Sequence, residues 1–312
     1  MMQFQVSIFA FIFASMVGSS TASQAQTIDV QTAEFRGKLY QVSAATRAAV
    51  GVVFIGGSEG ELLAADTVAP QMAALGYPVL GVNYHGGFAD RSRPLANVPL
   101  EQFSAAVNWL LNQPGIRRVV VIGESRGSEA ALLTAINSPK VSGVIGVVPS
   151  IYVWSAVGSA DLNGPSGWTL GGKPLSYVRP AQDENPNAAT FTKSITADQA
   201  IETATIPIEK IRVPMLLIGS SDDAVWPSGD FVNAAAARVK RLGAKVALDT
   251  RVYPDAGHRL LGKGASSPTE IYAYEGGSFT ARYGGTQSGN ARARADAWRA
   301  ITAFLTRVEP RK

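Results

Sequence analysis

The chain has 312 residues, 46% of them hydrophobic and 17% charged, with a formal net charge of +4 and no cysteine. That length suits one substantial core, so residues 26–312 are expected to form one domain. Lys and Arg alternate with acids instead of forming blocks, and few aromatics stand beside them, which argues against a nucleic-acid partner. The lack of cysteine excludes disulfides, a thiolate nucleophile and a Cys-based zinc site, and it fits an oxidising compartment.

Residues 1–25 read as a signal peptide. An apolar run from Phe4 to Val17 is followed by the small and polar stretch Gly18 to Gln26, and cleavage is expected after Ala25. No Lys or Arg precedes the run, where a positive region normally sits. The run is also shorter than the roughly 20 apolar residues that span a bilayer. Export to the periplasm or the medium is therefore expected, with no stable membrane anchor after cleavage. The alternative is an uncleaved amphipathic or buried helix.

From Ala48 onward, short β-rich runs alternate with helix-length amphipathic runs, the pattern of a mostly parallel sheet covered on both faces. Strands are expected at Val50 to Ile55, Pro78 to Asn83, Val119 to Ile122, Val144 to Val148, Met215 to Gly219 and Val246 to Tyr253. Most are continuous apolar runs, as strands buried on both faces require. Helices are expected near Thr67 to Leu75, Leu100 to Leu111, Ser128 to Ile136, Ser228 to Leu242 and Asp296 to Arg307. The alternation stops over residues 150–211, where Gly, Pro, Asn and Trp are frequent and no long periodic segment is visible. This segment reads as an insertion, either a lid over a pocket or a surface excursion anchored by Trp154, Trp168 and Tyr177. The Gly-rich stretch Gly276 to Asn290 reads as a connection.

Chemistry concentrates at Gly123-Glu124-Ser125-Arg126-Gly127, directly after an apolar strand and before a small-residue helix. In that context a sharp turn strains the serine, glycines avoid clashes, and the hydroxyl projects above the sheet edge. Its alternative is a plain structural turn. A serine nucleophile needs a base, and the chain has only two histidines. His258 follows the last expected strand at the carboxyl edge; His85 also lies at that edge but precedes the serine, so it either lines the pocket or is satisfied by backbone. An acid must orient the base, and the loop after Met215 to Gly219 carries Asp222 and Asp223. Asp223 has the better spacing to Trp226-Pro227, with Asp222 the alternative. Oxyanion donors are expected from the Arg126 amide and from Gly57 or Ser58 in Gly56-Gly57-Ser58-Glu59-Gly60. That loop lacks the Lys-Ser/Thr ending of a phosphate loop.

At these residues the chain resembles the C-terminal domain shared by acyl-CoA thioesterases and bile acid-CoA:amino acid N-acyltransferases, itself similar to dienelactone hydrolases. The resemblance runs from Val50 to Leu305 and also rests on Ala105-Ala106-Val107-Asn108-Trp109-Leu110, Asp222 to Ser228, Tyr253 to His258 and Asp296-Ala297-Trp298. It implies an α/β-hydrolase fold and a triad at Ser125, Asp223 and His258. Thioesterase members carry serine at the nucleophile position and the amino-acid transferases cysteine, so Ser125 implies hydrolysis. Animal members also carry an N-terminal β-sandwich, which the span Gln26 to Ala48 is too short to hold.

The expected activity is cleavage of a small acyl thioester or ester through an acyl-enzyme, with neither metal nor organic cofactor. The rival readings are acyl transfer to an amine or alcohol, and a non-catalytic binding protein on a hydrolase fold. Trp154, Trp168 and Trp226 either line an apolar acyl pocket or serve as packing residues.

Overall fold

The computed structural model describes residues 26–41, 48–87, 90, 92–157, 164–181, 183, 187–197, 201–274 and 277–310. The expected signal peptide lies outside them. Eight strands form the main sheet: β1 (Gln26–Gln31), β2 (Arg36–Gln41), β3 (Val50–Ile55), β4 (Val79–Val82), β5 (Arg118–Glu124), β6 (Gly143–Val147), β7 (Met215–Ser220) and β8 (Leu248–Tyr253). Their order is β1-β2-β4-β3-β5-β6-β7-β8. β1 and β2 pair antiparallel, as do β2 and β4, and every later pair is parallel.

The central strands are built from β-branched and other apolar residues and are buried along their length, as the continuous apolar runs require. Alternate residues feed two cores. Val53, Ile55, Val121 and Leu217 meet helices α2 (Glu101–Leu111), α3 (Arg126–Asn137) and α5 (Ser228–Arg241). Val52, Phe54, Ile122 and Ile218 meet α1 (Leu63–Ala73) and the long α6 (Gln287–Val308) on the opposite face. Among the described residues no helix is long and apolar enough to cross a membrane.

Three features depart from the sequence reading. The span before Val50, which shows no apolar run, supplies the edge strand β1 and its inner neighbour β2; five of the six β1 residues are exposed and half of β2 is, at most, partly buried, which explains the missing signal. Residues 150–211 contain a helix, α4 (Ala188–Ala197), and the short strand Trp168–Leu170, which pairs with Val98–Pro99 and Lys173–Pro174. The stretch read as a connection instead holds the second strand of the hairpin β9 (Thr269–Tyr274) and β10 (Gly277–Arg282), and the first turn of α6.

Candidate active site

The loops after β3, β4, β5, β7 and β8 converge at the carboxyl edge of the sheet. Ser125 sits between β5 and α3 with φ 52° and ψ −124°, a backbone conformation costing a non-glycine residue ~1–3 kcal/mol. The surroundings enforce it. A Cβ on Gly123 would lie 2.3 Å from the Gly127 carbonyl oxygen, and one on Gly127 would lie 2.2 Å from that of Ile55 and 2.3 Å from that of Gly56. The Ser125 amide donates to the Val147 carbonyl at 2.9 Å, and the Ser128 hydroxyl donates to the Ser125 carbonyl at 2.6 Å.

His258 approaches from the loop after β8, with Nε2 2.9 Å from Ser125 Oγ and Nδ1 2.8 Å from Asp223 Oδ2. This network assigns a hydroxyl donating to Nε2 and an Nδ1–H donating to the carboxylate. Asp223 Oδ1 also accepts from the Val225 and Trp226 amides, at 3.0 and 3.3 Å, which locks the carboxylate to its own loop. Asp223 is buried and Asp222 is exposed. Tyr283 stacks on the His258 ring at 6.4 Å, and Trp226 meets it edge-on at 5.9 Å.

The last helix fixes the histidine loop. Asn290 Oδ1 accepts from the Gly257 amide at 2.8 Å, and the Arg294 guanidinium donates to the carbonyls of Arg259, Lys263 and Gly264. Glu124, directly before the serine, is buried; burial and the negative charge of Glu59 push its pKa up, against the pull of Arg259, His258 and Arg294.

The two oxyanion candidates in the β3 loop stand differently. The Gly57 amide already donates to its neighbour's carboxylate, Glu59 Oε1, at 3.0 Å. Among the described residues no acceptor engages the Ser58 amide. Arg126 opens α3, so its amide has no acceptor within the helix. A Cβ on Gly57 would lie 3.0 Å from Ser125 Cβ, which places this loop against the serine.

Residues 98–308 match the family described as BAAT / acyl-CoA thioester hydrolase C terminal. The chain belongs to that family. It is 26% identical over 250 residues to acyl-coenzyme A thioesterase 6 of Homo sapiens, covering 75% of this chain and 54% of that protein. Identity is also 26%, over 271 residues, to acyl-coenzyme A amino acid N-acyltransferase 1 of Mus musculus, covering 82% of this chain and 59% of that one. The chain thus spans little more than half the length of these relatives. A dienelactone hydrolase-like promiscuous phosphotriesterase from metagenomic libraries superposes with a TM-score of 0.51 at 17% identity, covering 93% of this chain and 100% of that one. That likeness shows the fold, an α/β hydrolase.

Within this BAAT-type fold, burial bears on two alternatives that the sequence left open. Trp154, Trp168 and Trp226 are packed in the interior: they are 0%, 0% and 1% exposed, and each indole N–H is bonded inside the protein, to Ser150 Oγ, Glu129 Oε2 and the Val148 carbonyl respectively. His85 is satisfied by backbone. It is 1% exposed, its Nδ1 accepts from the Gly87 amide and its Nε2 lies 3.0 Å from the Gly57 carbonyl.

Sequence reasoning missed Glu129, which stands one turn into α3. Its buried carboxylate pairs with Arg126 Nε at 3.1 Å and accepts from the Trp154 amide and Trp168 Nε1 at 3.1 and 2.8 Å. Arg126 in turn donates to the carbonyls of Trp154 and Ser155. The residue following the serine is thereby fastened to the insertion. The i,i+3 spacing of Arg126 and Glu129 was the only available sign, and it looks the same on any exposed helix.

Proposed function

We propose that this chain is a serine hydrolase that cleaves an acyl thioester or ester by way of an acyl-enzyme. The observation that carries the reading is the unbroken contact from Ser125 Oγ through His258 to Asp223, at 2.9 and 2.8 Å, on a strained strand-to-helix turn. In this reading Ser125 Oγ attacks the carbonyl carbon while its proton passes to His258 Nε2. Asp223 holds the Nδ1–H tautomer and stabilises the imidazolium. The tetrahedral oxyanion takes hydrogen bonds from the Arg126 amide and from the loop after β3. His258 returns the proton to the departing thiolate or alkoxide, then activates the water that releases the acid. The enzyme acts after export, as the leader-like residues 1–25 support, and the described part of residues 150–211, with α4, forms a lid over the site.

Hydrolysis of a panel of p-nitrophenyl esters and acyl-CoA thioesters, by the protein and by Ser125→Ala, tests this. Activity on any member should vanish in the variant; equal rates from both would overturn the assignment of the nucleophile. The N-acyltransferase relative favours a second reading, transfer to an amine acceptor. Product analysis with added amino acids separates the two, since a hydrolase yields free acid and a transferase the amide.

A further inference from the structure

The loop after β3 is held from outside by the loop after β4, and the pattern of ties is selective. The Gly56–Gly57 peptide is bonded at both ends: Tyr84 Oη donates to the Gly56 carbonyl at 2.7 Å, and the Gly57 amide donates to Glu59 Oε1 at 3.0 Å. The next peptide, Gly57–Ser58, is bonded only at its carbonyl, which faces His85 Nε2 at 3.0 Å, with Tyr84 Oη more distant at 3.4 Å. In a trans peptide the carbonyl and the amide hydrogen point in opposite directions, and the chain has no cis bond among the described residues. Anchoring this carbonyl on His85 therefore turns the Ser58 amide to the other side of the peptide, in a loop that lies against Ser125.

The imidazole suits this task. Its Nδ1 accepts from the Gly87 amide, so the ring proton resides on Nε2 and is donated to the Gly57 carbonyl. Burial holds its pKa down at about 4, and the ring stays neutral in ordinary buffers. The supporting loop has no slack. A Cβ on Gly60 would lie 2.2 Å from Gly87 Cα, and one on Gly87 would lie 1.9 Å from the Glu59 carbonyl oxygen, so the two loops meet backbone to backbone.

From this arrangement we infer that His85 is a positioning residue of the oxyanion site, holding the Gly57–Ser58 peptide so that the Ser58 amide serves as the donor that joins the Arg126 amide. The inference rests on the serine-hydrolase reading above. It also distinguishes the two glycine-loop candidates, because the Gly57 amide is already committed to Glu59.

The test compares His85→Asn, His85→Gln and the parent protein in hydrolysis of p-nitrophenyl butyrate, inhibition by butylboronic acid as a tetrahedral mimic, and thermal melting. Asn keeps an acceptor for the Gly87 amide but is too short to reach the Gly57 carbonyl, whereas Gln carries a donor with the longer reach. His85→Asn should lose about 10²-fold in kcat, as loss of one oxyanion donor does, with KM within about threefold and boronate affinity reduced in parallel. His85→Gln should regain at least about tenfold of that loss. Unchanged kcat in a folded Asn variant would overturn the inference, as would a loss of kcat with boronate affinity untouched. Should the Asn variant fail to fold, the Gln variant decides: kcat within about tenfold of the parent supports the role, and a loss of about 10²-fold or more at an unchanged melting temperature refutes it. A parent protein that neither hydrolyses esters nor reacts with a fluorophosphonate at Ser125 would instead remove the serine-hydrolase reading, and this inference with it.

Discussion

The residue with the sharpest energetic consequence outside the Ser125-His258-Asp223 contact is Glu129. A buried carboxylate is costly unless paired, and here Oε2 accepts from two N–H donors while Oε1 is paired with the Arg126 guanidinium by charge. Glu129→Leu should therefore destabilise the protein by about 3–5 kcal/mol in urea unfolding, because Arg126 would be left charged and unpaired in the interior. The paired change Arg126→Met with Glu129→Leu should recover most of that loss. Burial lifts the Glu129 pKa from 4.5 to about 7, although Arg126 and its hydrogen bonds pull it down. The folded state then holds this proton more tightly than the unfolded chain. The stabilising contribution is full below pH 4.5 and is lost as pH rises through about 7. Plotted against pH, the stability of the parent protein should fall across that window relative to Glu129→Gln, which has no such proton. At the adjacent acids, Asp223→Asn should lower kcat by about 10⁴-fold and Asp222→Asn by little, since only Asp223 meets His258.

Among the elements, the strand-to-helix turn and the insertion lie nearest the candidate site and carry testable consequences. α3 approaches β3 so closely that Gly127 touches the Ile55 and Gly56 carbonyls. Gly127→Ala should cost at least about 2–3 kcal/mol and push the oxyanion loop out of register, with activity lost along with stability. Gly115→Ala is the natural comparison. Its φ of 82° carries the left-handed penalty of ~1–2 kcal/mol, but nothing lies within 4 Å of the added carbon, so activity should survive. The insertion has its own small apolar cluster: Phe191 of α4 meets Trp154 and Trp226 edge-on, with centroids 4.7 and 5.8 Å apart, and Trp226 reaches His258. If α4 covers the site, Phe191→Ala should raise KM for the better esters by several-fold and leave kcat nearly intact. A variant with unchanged KM would refute the lid.

At the scale of the whole molecule, two cores on opposite faces of one sheet bring together residues remote in sequence, with Ser125 and His258 133 positions apart and Asp223 and His258 35 apart. β1 and β2 extend the sheet beyond β4, and Tyr40 of β2 enters the core beneath α1. A processed protein beginning at Gln26 would retain every residue of β1. If the leader-like residues 1–25 direct export, mass spectrometry of the protein recovered outside the cytoplasm should find that N-terminus. Recovery of the Phe4 to Val17 run in mature soluble protein would refute cleavage.

The sequence by itself determined the layered architecture and named Ser125, Asp223 and His258, which meet at the candidate site. Continuous β-branched runs can be buried only in a sheet covered on both faces, and the glycine-flanked serine between such a run and a helix specifies a strained turn. The order serine, aspartate, histidine followed from local patterns of this kind. It left β1 and β2 unread, because the edge strand β1 is mostly exposed and β2 buries only Gly37, Leu39 and Tyr40, too few apolar residues to form a run. Tertiary structure alone decided the rest. The choice between Asp222 and Asp223 depends on which one the His258 loop reaches, and the inferred preference for Ser58 over Gly57 on which of their amides Glu59 leaves free. Burial of the three tryptophans and of Glu129 arises the same way. Most of these rest on contacts across the fold, where distance in space bears no relation to distance along the chain.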